Sequence, residues 1–473
     1  MILRDGQQSL IATRMKTEDM IPILKDMDKV GYSSVEVWGG ATYDCCLRYL
    51  DENPWDRLKV FKKSFKNTKL QMLLRGKNLV GYRQFDDSVI EFFIQNSIKY
   101  GINIFRIFDA LNDINNIESS IKFVKKGKEN AQGTICYTTS PVHNERYWIK
   151  LAKDIEDIGA TSLAIKDMAG LLRPRTCYEL VKKLKKNLNI PIHLHTHSTT
   201  GLSDATNFKA YEAGIDNIDT SISSFSNLYA HTATESFISM MYSEEKNPFD
   251  MKLLTKISEY FNEVRKKYKK YEGSMRGVDV NMLINQVPGG MLSILEKQLL
   301  DLNKADKLKL LIDEIPKIRK DVGYVPLVTP SSQIVGAQAL MNVLDDQRYK
   351  TLNKEFIDMV NGKYGKIPGD ICPKLKKKID KASKNIDIDD DVQNLEFYKN
   401  EFKEFCSDNQ LKKISKNPTD LLNFILFPKE AKDFYLHKNK STLNDIIGLQ
   451  EGFGLYVDLS LIHISEPTRP SSI

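Results

Sequence analysis

TSLAIKDMAGLLRPRTCYELVKKLKKNLNIPIHLHTHSTT, Thr161–Thr200, is the stretch that decides the fold. A short apolar run, Ser162–Ile165, gives way to the polar pair Lys166-Asp167. An amphipathic segment, Arg175–Leu188, follows with apolar residues at helical spacing, and Asn189-Ile-Pro191 breaks it before a second run, Ile192–His195. Strand, helix and strand within roughly thirty residues make one βα unit. Outward from here the same unit recurs. The strand candidates are the start to Leu3, Ser34–Trp38, Leu70–Leu74, Ile102–Phe108, Thr134–Tyr137, Ser162–Ile165, Ile192–His195 and Asn217–Thr220. Helical patterns such as Thr17–Val30, Asp86–Tyr100 and Glu145–Ile158 separate them. Eight such units predict an α/β fold, a (β/α)8 TIM barrel of about 250 residues, here 1–245. A doubly wound open sheet is the runner-up, and the missing Gly-Xaa-Gly-Xaa-Xaa-Gly turn counts against it.

Beyond Phe249 the alternation fades. Leu253–Tyr271, Ser293–Leu302, Lys307–Val322, Ser331–Val343 and Asn353–Val360 carry helical spacing, so 246–373 is read as a C-terminal helical extension packed against the barrel, and it is expected to complete the active site. The charged stretch 374–391 is expected to be a linker, and 392–458 a small helical unit. Residues 459–473, beginning LSLIHISEPTR, resemble a translated sequencing adapter and are set aside with His463. The natural chain is then expected to run further, and its start to be clipped.

Composition narrows the class. No apolar run approaches twenty residues, which excludes a membrane-spanning helix, and the start has no signal-like stretch. A cytoplasmic location is expected. Lys plus Arg exceed Asp plus Glu, 69 against 62, but the surplus lies on helical faces such as Arg265–Lys270 without regular aromatic interleaving, so no nucleic-acid partner is expected. The six cysteines show no paired ligand spacing and read as reduced thiols.

In a barrel of this type chemistry gathers where strands end. Those ends read Arg4-Asp5, Glu36, Arg75, Asp109, Lys166-Asp167 and His195-Thr-His197. His195 and His197, two apart on a strand, project from one face. With a carboxylate such as Asp5 they suit a divalent transition metal. An inert polar pair is the bland alternative, and His193 is expected to lie deeper in the strand. Lys166, ending an apolar strand, needs either an ion pair, with Asp167 the candidate, or loss of its charge. A neutral amine can capture carbon dioxide as a carbamate, completing a ligand set of Asp5, carboxylated Lys166, His195 and His197. Arg75 could grip a carboxylate or anchor a loop.

The motifs RDGQQSLIATR (Arg4–Arg14), EVWGGATYD (Glu36–Asp44), LLRGKNLVGYR (Leu73–Arg83), FRIFDALND (Phe105–Asp113), KDMAGLL (Lys166–Leu172), HLHTHSTTGL (His193–Leu202), QVPGGM (Gln286–Met291) and VTPSSQIVG (Val328–Gly336) occur in that order. Together they resemble the biotin-dependent carboxyltransferase family, which includes oxaloacetate decarboxylase α subunits, pyruvate carboxylase B subunits and the central domain of pyruvate carboxylase. The resemblance runs from Arg4 to the low 430s and implies zinc, manganese or cobalt on Asp5, carboxylated Lys166, His195 and His197. It places Gln8 and Arg75 on the substrate's carboxylate and keto end, with Arg4 and Asp109 in support. Thr329 matches a proton shuttle between pyruvate and biotin, and Asp44 and Tyr82 match the biotin side of the pocket. Glu36 reads as a partner of Arg4.

The implied activity is carboxyl transfer between oxaloacetate and biotin. Ser221–Glu235, QVPGGM and Gln333 lean toward the oxaloacetate decarboxylase α subunit, although Ala230 and Thr232 depart from the usual glycine and proline. The carboxyltransferase component of pyruvate carboxylase, its B subunit, is the alternative. Further off stand a metal-dependent acyl-CoA lyase or synthase and a non-catalytic scaffold. No Ala-Met-Lys-Met biotin site is present, so biotin is expected on a separate domain or subunit. Implied partners are that carrier and either membrane sodium-pump β and γ subunits, giving a peripheral place at the inner membrane, or a biotin carboxylase subunit. A homodimer is expected.

Overall fold

The computed structural model describes residues 1–437 apart from 274, 288, 346, 384–391 and 412–413. Seven parallel strands form one sheet in sequence order: β1 (Ser34–Trp38), β2 (Lys69–Leu74), β3 (Ile102–Ile107), β4 (Asn130–Cys136), β5 (Ser162–Asp167), β6 (Ile192–Thr196) and β7 (Asn217–Ile218). Sequential parallel neighbours joined by outer helices are the (β/α) barrel arrangement. The strands are buried almost throughout, as expected where helices cover the sheet. The helices between them start on side-chain caps. Asn53 accepts from the Trp55 N–H, Asp86 from Ser88 and Asn144 from Tyr147, each occupying an otherwise orphaned donor of the first turn.

One stave differs from expectation. The start to Leu3, expected as a strand, belongs instead to a helical turn, Ile2–Gly6. Its ends still join the two sheet edges. The Met1 amine donates to the Thr220 carbonyl at 3.0 Å, just past β7, and Arg4 pairs with Glu36 on β1. The turn thereby carries Asp5 to the mouth of the barrel without a ladder of its own.

Register places the polar side chains. Parallel pairing sets Lys166 of β5 opposite His195 of β6, and Glu36 of β1 opposite Gln71 of β2. A register shift between Glu36 and Trp38 sends these two residues to opposite faces, an effect typical of a bulge. Glu36 enters the barrel, while the Trp38 ring packs 4.8 Å from Trp55 and 5.9 Å from Phe93 in the helical layer.

After Met251–Lys267 the chain builds a second core from Gly289–Asp301, Leu308–Asp321, Ser331–Leu344 and Lys354–Val360. Leu311, Ile315, Ile318, Val335 and Phe356 are fully buried there, together with Leu111 from the loop after β3. The stretch 374–391, expected as a linker, is in its first part a helix, Pro373–Ser383. Leu375 and Ile379, four apart, supply the apolar stripe that docks it on this core despite its lysines. Contacts divide the chain into Met1–Glu401 and Phe402–Ile473. In the second unit Asn417 caps Pro418–Leu426, and Phe402 packs 5.2 Å from Phe424. The segment 459–473 lies outside the described residues.

Candidate active site

Asp5, His195, His197 and His231 converge at the mouth of the barrel, all buried, with one ligand atom from each within 4.8 Å of all the others. Asp5 Oδ2 lies 3.1 Å from His195 Nε2, 3.4 Å from His197 Nε2 and 3.2 Å from His231 Nε2. The opposite ring nitrogens are engaged elsewhere. His195 Nδ1 sits 2.8 Å from Asp219, His197 Nδ1 2.6 Å from the Tyr229 carbonyl and His231 Nδ1 2.9 Å from the Thr196 carbonyl. The Tyr229 and Thr196 carbonyls can only accept, so His197 and His231 carry their protons on Nδ1. His195 Nδ1 faces the Asp219 carboxylate and, at 3.1 Å, the Arg106 guanidinium, and the closer carboxylate gives it the same tautomer, so each Nε2 turns a lone pair inward. Three such lone pairs facing one carboxylate repel unless a cation lies among them. The donor set therefore fits a divalent transition ion, and its imidazole-plus-carboxylate chemistry is that of zinc, manganese or cobalt sites.

The electrostatics agree. Burial, and then the charges of Lys166 and His231, push His195 well below the ordinary histidine range, and burial and His197 lower His231, so both rings are neutral near pH 7. Burial raises the Asp5 carboxyl, but Arg4, at 3.0 Å, and the neighbouring histidines outweigh it and hold Asp5 well below the usual carboxylate range.

Lys166 Nζ lies 3.0 Å from His195 Nε2, and burial depresses its pKa despite Asp5. Asp167 is not its partner, contrary to the ion-pair reading. Adjacent residues on a strand face opposite ways, and the Asp167 carboxylate instead accepts from the Leu171 and Leu172 N–H groups and the Thr196 hydroxyl. Beneath the donors lies a charge-paired layer. Glu36 holds Arg4 and accepts from Gln71, and Arg106 pairs with Asp219 and donates to Gln132. His193 stands below this layer, near Asn217.

A cleft of about 1810 Å³ opens from the donors toward the helical extension, lined among others by Gln8, His197, Tyr229, Thr329 and Gln333. Thr329 also lines an adjoining pocket with Arg75 and Asp109. Arg75 donates to the Gly81 carbonyl at 2.9 Å and stacks 4.9 Å from the Tyr82 ring, and no described carboxylate grips it. Asp44 pairs with Arg48 nearby in sequence, 2.9 Å away. Asp109 accepts from the Leu111 and Asp113 N–H groups and from Asn116, and burial pushes its carboxyl up to about 6. It stands in the pocket wall rather than among the donors. Gln8 accepts from Arg4 at 3.2 Å.

Sequence reading missed His231, Asp219 and Arg106. His231 follows His197 by about one βα repeat, and that period was the signal available for it.

Fold and site together define a metal-dependent barrel enzyme with a second, helical wall to its cleft. The HMGL-like family matches residues 1–260, and the family described as conserved carboxylase domain matches 282–457. The chain is 48% identical over 434 residues to the B subunit of pyruvate carboxylase from Methanocaldococcus jannaschii, covering 91% of this chain and 76% of that protein. It is 44% identical over 443 residues to the methylmalonyl-CoA carboxyltransferase 5S subunit of Propionibacterium freudenreichii, covering 93% and 87%. The carboxyl transferase domain of Rhizobium etli pyruvate carboxylase, solved with oxamate and biotin, superposes with a TM-score of 0.86 at 30% identity, covering 92% of this chain and 76% of that one. The chain belongs to the biotin-dependent carboxyltransferase family. No described helix is long and apolar enough to cross a membrane.

Proposed function

We propose that this chain is the carboxyltransferase subunit of a multi-subunit pyruvate carboxylase, moving a carboxyl group from carrier-borne biotin to pyruvate. The observation that carries the reading is the cleft that brings His197 of the donor cluster together with Gln8 and Thr329. A sequence-based leaning toward the oxaloacetate decarboxylase α subunit gives way here, because relatives of high identity are named as B subunits of pyruvate carboxylase.

Asp5, His195 and His197 would hold the metal, with His231 as a further donor and Lys166 contributing an oxygen once carboxylated. When bound, the ion supplies a fixed positive field for the negative charge that builds on the substrate's keto oxygen. Gln8 and Arg75 bind the carboxylate and keto end of pyruvate, with Arg4 and Asp109 supporting them. Asp44 and Tyr82 line the biotin side. When the N–CO₂ bond of carboxybiotin breaks, the Thr329 hydroxyl takes a proton from the pyruvate methyl group and returns one to the ureido nitrogen. The methyl carbon then bonds to CO₂. One C–H and one N–C bond are lost, and one C–C and one N–H bond are made. The same positions run the reverse reaction from oxaloacetate.

The partners under this reading are a biotin carrier and a biotin carboxylase subunit. Incubation with a carboxybiotinylated carrier should form oxaloacetate from pyruvate and no product from 2-oxoglutarate. Product from 2-oxoglutarate alone would move the chain toward its 42% identical relative, the 2-oxoglutarate carboxylase large subunit of Hydrogenobacter thermophilus. No product from either acceptor would overturn the proposal.

A further inference from the structure

The mouth of the cleft carries a set of cations that no described carboxylate neutralises. Ala12, Tyr271 and Gly273 form part of the cleft wall. Arg14 and Lys270 stand near Tyr271 and Arg276 near Gly273, with the exposed Lys269 next to Lys270 in the chain. The Arg14 guanidinium lies 3.4 Å from the Tyr49 ring centre and 5.4 Å from that of Tyr271, and its Nη1 donates to Cys45 Sγ. Lys270 Nζ lies 5.0 Å from the same Tyr271 ring. Among the described residues Arg276 donates to the carbonyls of Gly273 and Met275. Tyr49 is 58% exposed and Tyr271 37%.

Several acids close by in the chain are already committed. Asp19 holds Lys267, Glu263 holds Lys266, Glu272 holds Arg265 and Glu18 lies by Lys16. Among the described residues none of Arg14, Lys269, Lys270 and Arg276 has a carboxylate within ion-pair distance. Unpaired cations interleaved with exposed tyrosines combine long-range attraction for an anionic surface with flat area for contact. Tyr271 and Gly273 line the same cleft as Thr329, so a biotin arm arriving past this lip would have Thr329 within that cleft.

We infer that this lip, Arg14, Tyr49, Lys269, Lys270, Tyr271 and Arg276, is the docking surface for the biotin carrier, and that the carrier presents an acidic face to it. The inference rests on the carboxyltransferase reading and adds the partner's chemistry to it. Docking of this kind is electrostatically steered, so it weakens with salt, whereas free biotin, uncharged at its ring, has no such dependence.

The test uses the whole chain, the triple variant K269E/K270E/R276E and a biotinylated carrier domain, with binding followed by titration calorimetry from low to physiological salt. The carrier should bind the triple variant about tenfold more weakly and with little salt dependence, as loss of a complementary charged rim implies. Pyruvate release from oxaloacetate with free biocytin should stay within about twofold of the parent, because none of these side chains enters the chemistry. Equal carrier affinity for parent and variant, or a salt-independent affinity in the parent, would overturn the docking inference. Absence of biocytin-dependent pyruvate release in the parent would count against the carboxyltransferase reading instead, while the binding comparison would still decide the lip.

Discussion

The barrel mouth and the helical extension reach their order by opposite means. At the mouth, Asp5, Lys166, His195, His197 and His231 are buried polar groups, most of them fixed from outside by a named partner such as Asp219, Tyr229 or Arg4. In the extension, Leu311, Ile315, Ile318, Val335 and Phe356 make an apolar core, beside which Glu314, Gln338 and Asn342 form a buried polar network, and the same segment presents Thr329 to the cleft. Changes at the mouth should therefore act on chemistry and metal content with little effect on folding. Changes in the extension core should act on folding, and on chemistry only through Thr329.

The sharpest way to break this contrast is Asp5→Ala. It removes the carboxylate on which three imidazoles converge, and should abolish stoichiometric metal and lower transfer by about 10⁴ or more. Metal analysis and thermal melting on the same preparation check it, the melt shifting far less than the rate. Lys166→Ala comes next, with an expected loss of about 10³ in transfer and reduced metal occupancy, as for loss of one ligand. Full activity in that variant would discard the carbamate. Thr329→Ala should slow transfer by about 10², the usual worth of a positioned proton relay, and leave metal content unchanged. Lost metal there would mean the mouth and the extension are not separable.

The two remaining predictions concern folding. Phe356→Ala, in the fully buried extension core, should cost about 3–5 kcal/mol by denaturant unfolding while the metal stays bound. His143 gives the smallest effect. Burial, with a contribution from Arg319, pushes it down to about 3. In the unfolded chain a histidine takes its proton near pH ~6.5. Between those values the unfolded state binds the extra proton, so stability falls as pH falls from about 6.5 toward 3. His143→Gln should flatten that acid limb in melts taken across the window, with no change at about pH 8, above both values.

How much of this could be read beforehand follows from the same division. The strands β2 to β6 are marked by short stretches rich in apolar and β-branched residues, although β4 begins at Asn130, four residues before its expected start, and His195, His197 and Lys166 are marked by their places at strand ends. Motif resemblance supplied Thr329, which periodicity alone placed only near a helix start. Besides Asp219 and Arg106, three features escaped. The first stave is a helical turn because Asp5 and Arg4 are fixed by Glu36 and the histidines, side-chain pairings that local apolar pattern does not report. The expected linker begins as a helix because two apolar residues among many lysines suffice when a core is waiting for them. His231 lies on a loop, where its spacing of about one βα repeat from His197 is the sole hint in the sequence, and three-dimensional convergence is what reveals it as a donor.

Carboxyl-labelled oxaloacetate supplied with biocytin tests the central claim most directly. Following the label in the metal-replete chain should give pyruvate and carboxylated biocytin in equal initial amounts, both lost together in Thr329→Ala. Pyruvate formed without label on biocytin, or transfer that survives in Asp5→Ala, would contradict the account.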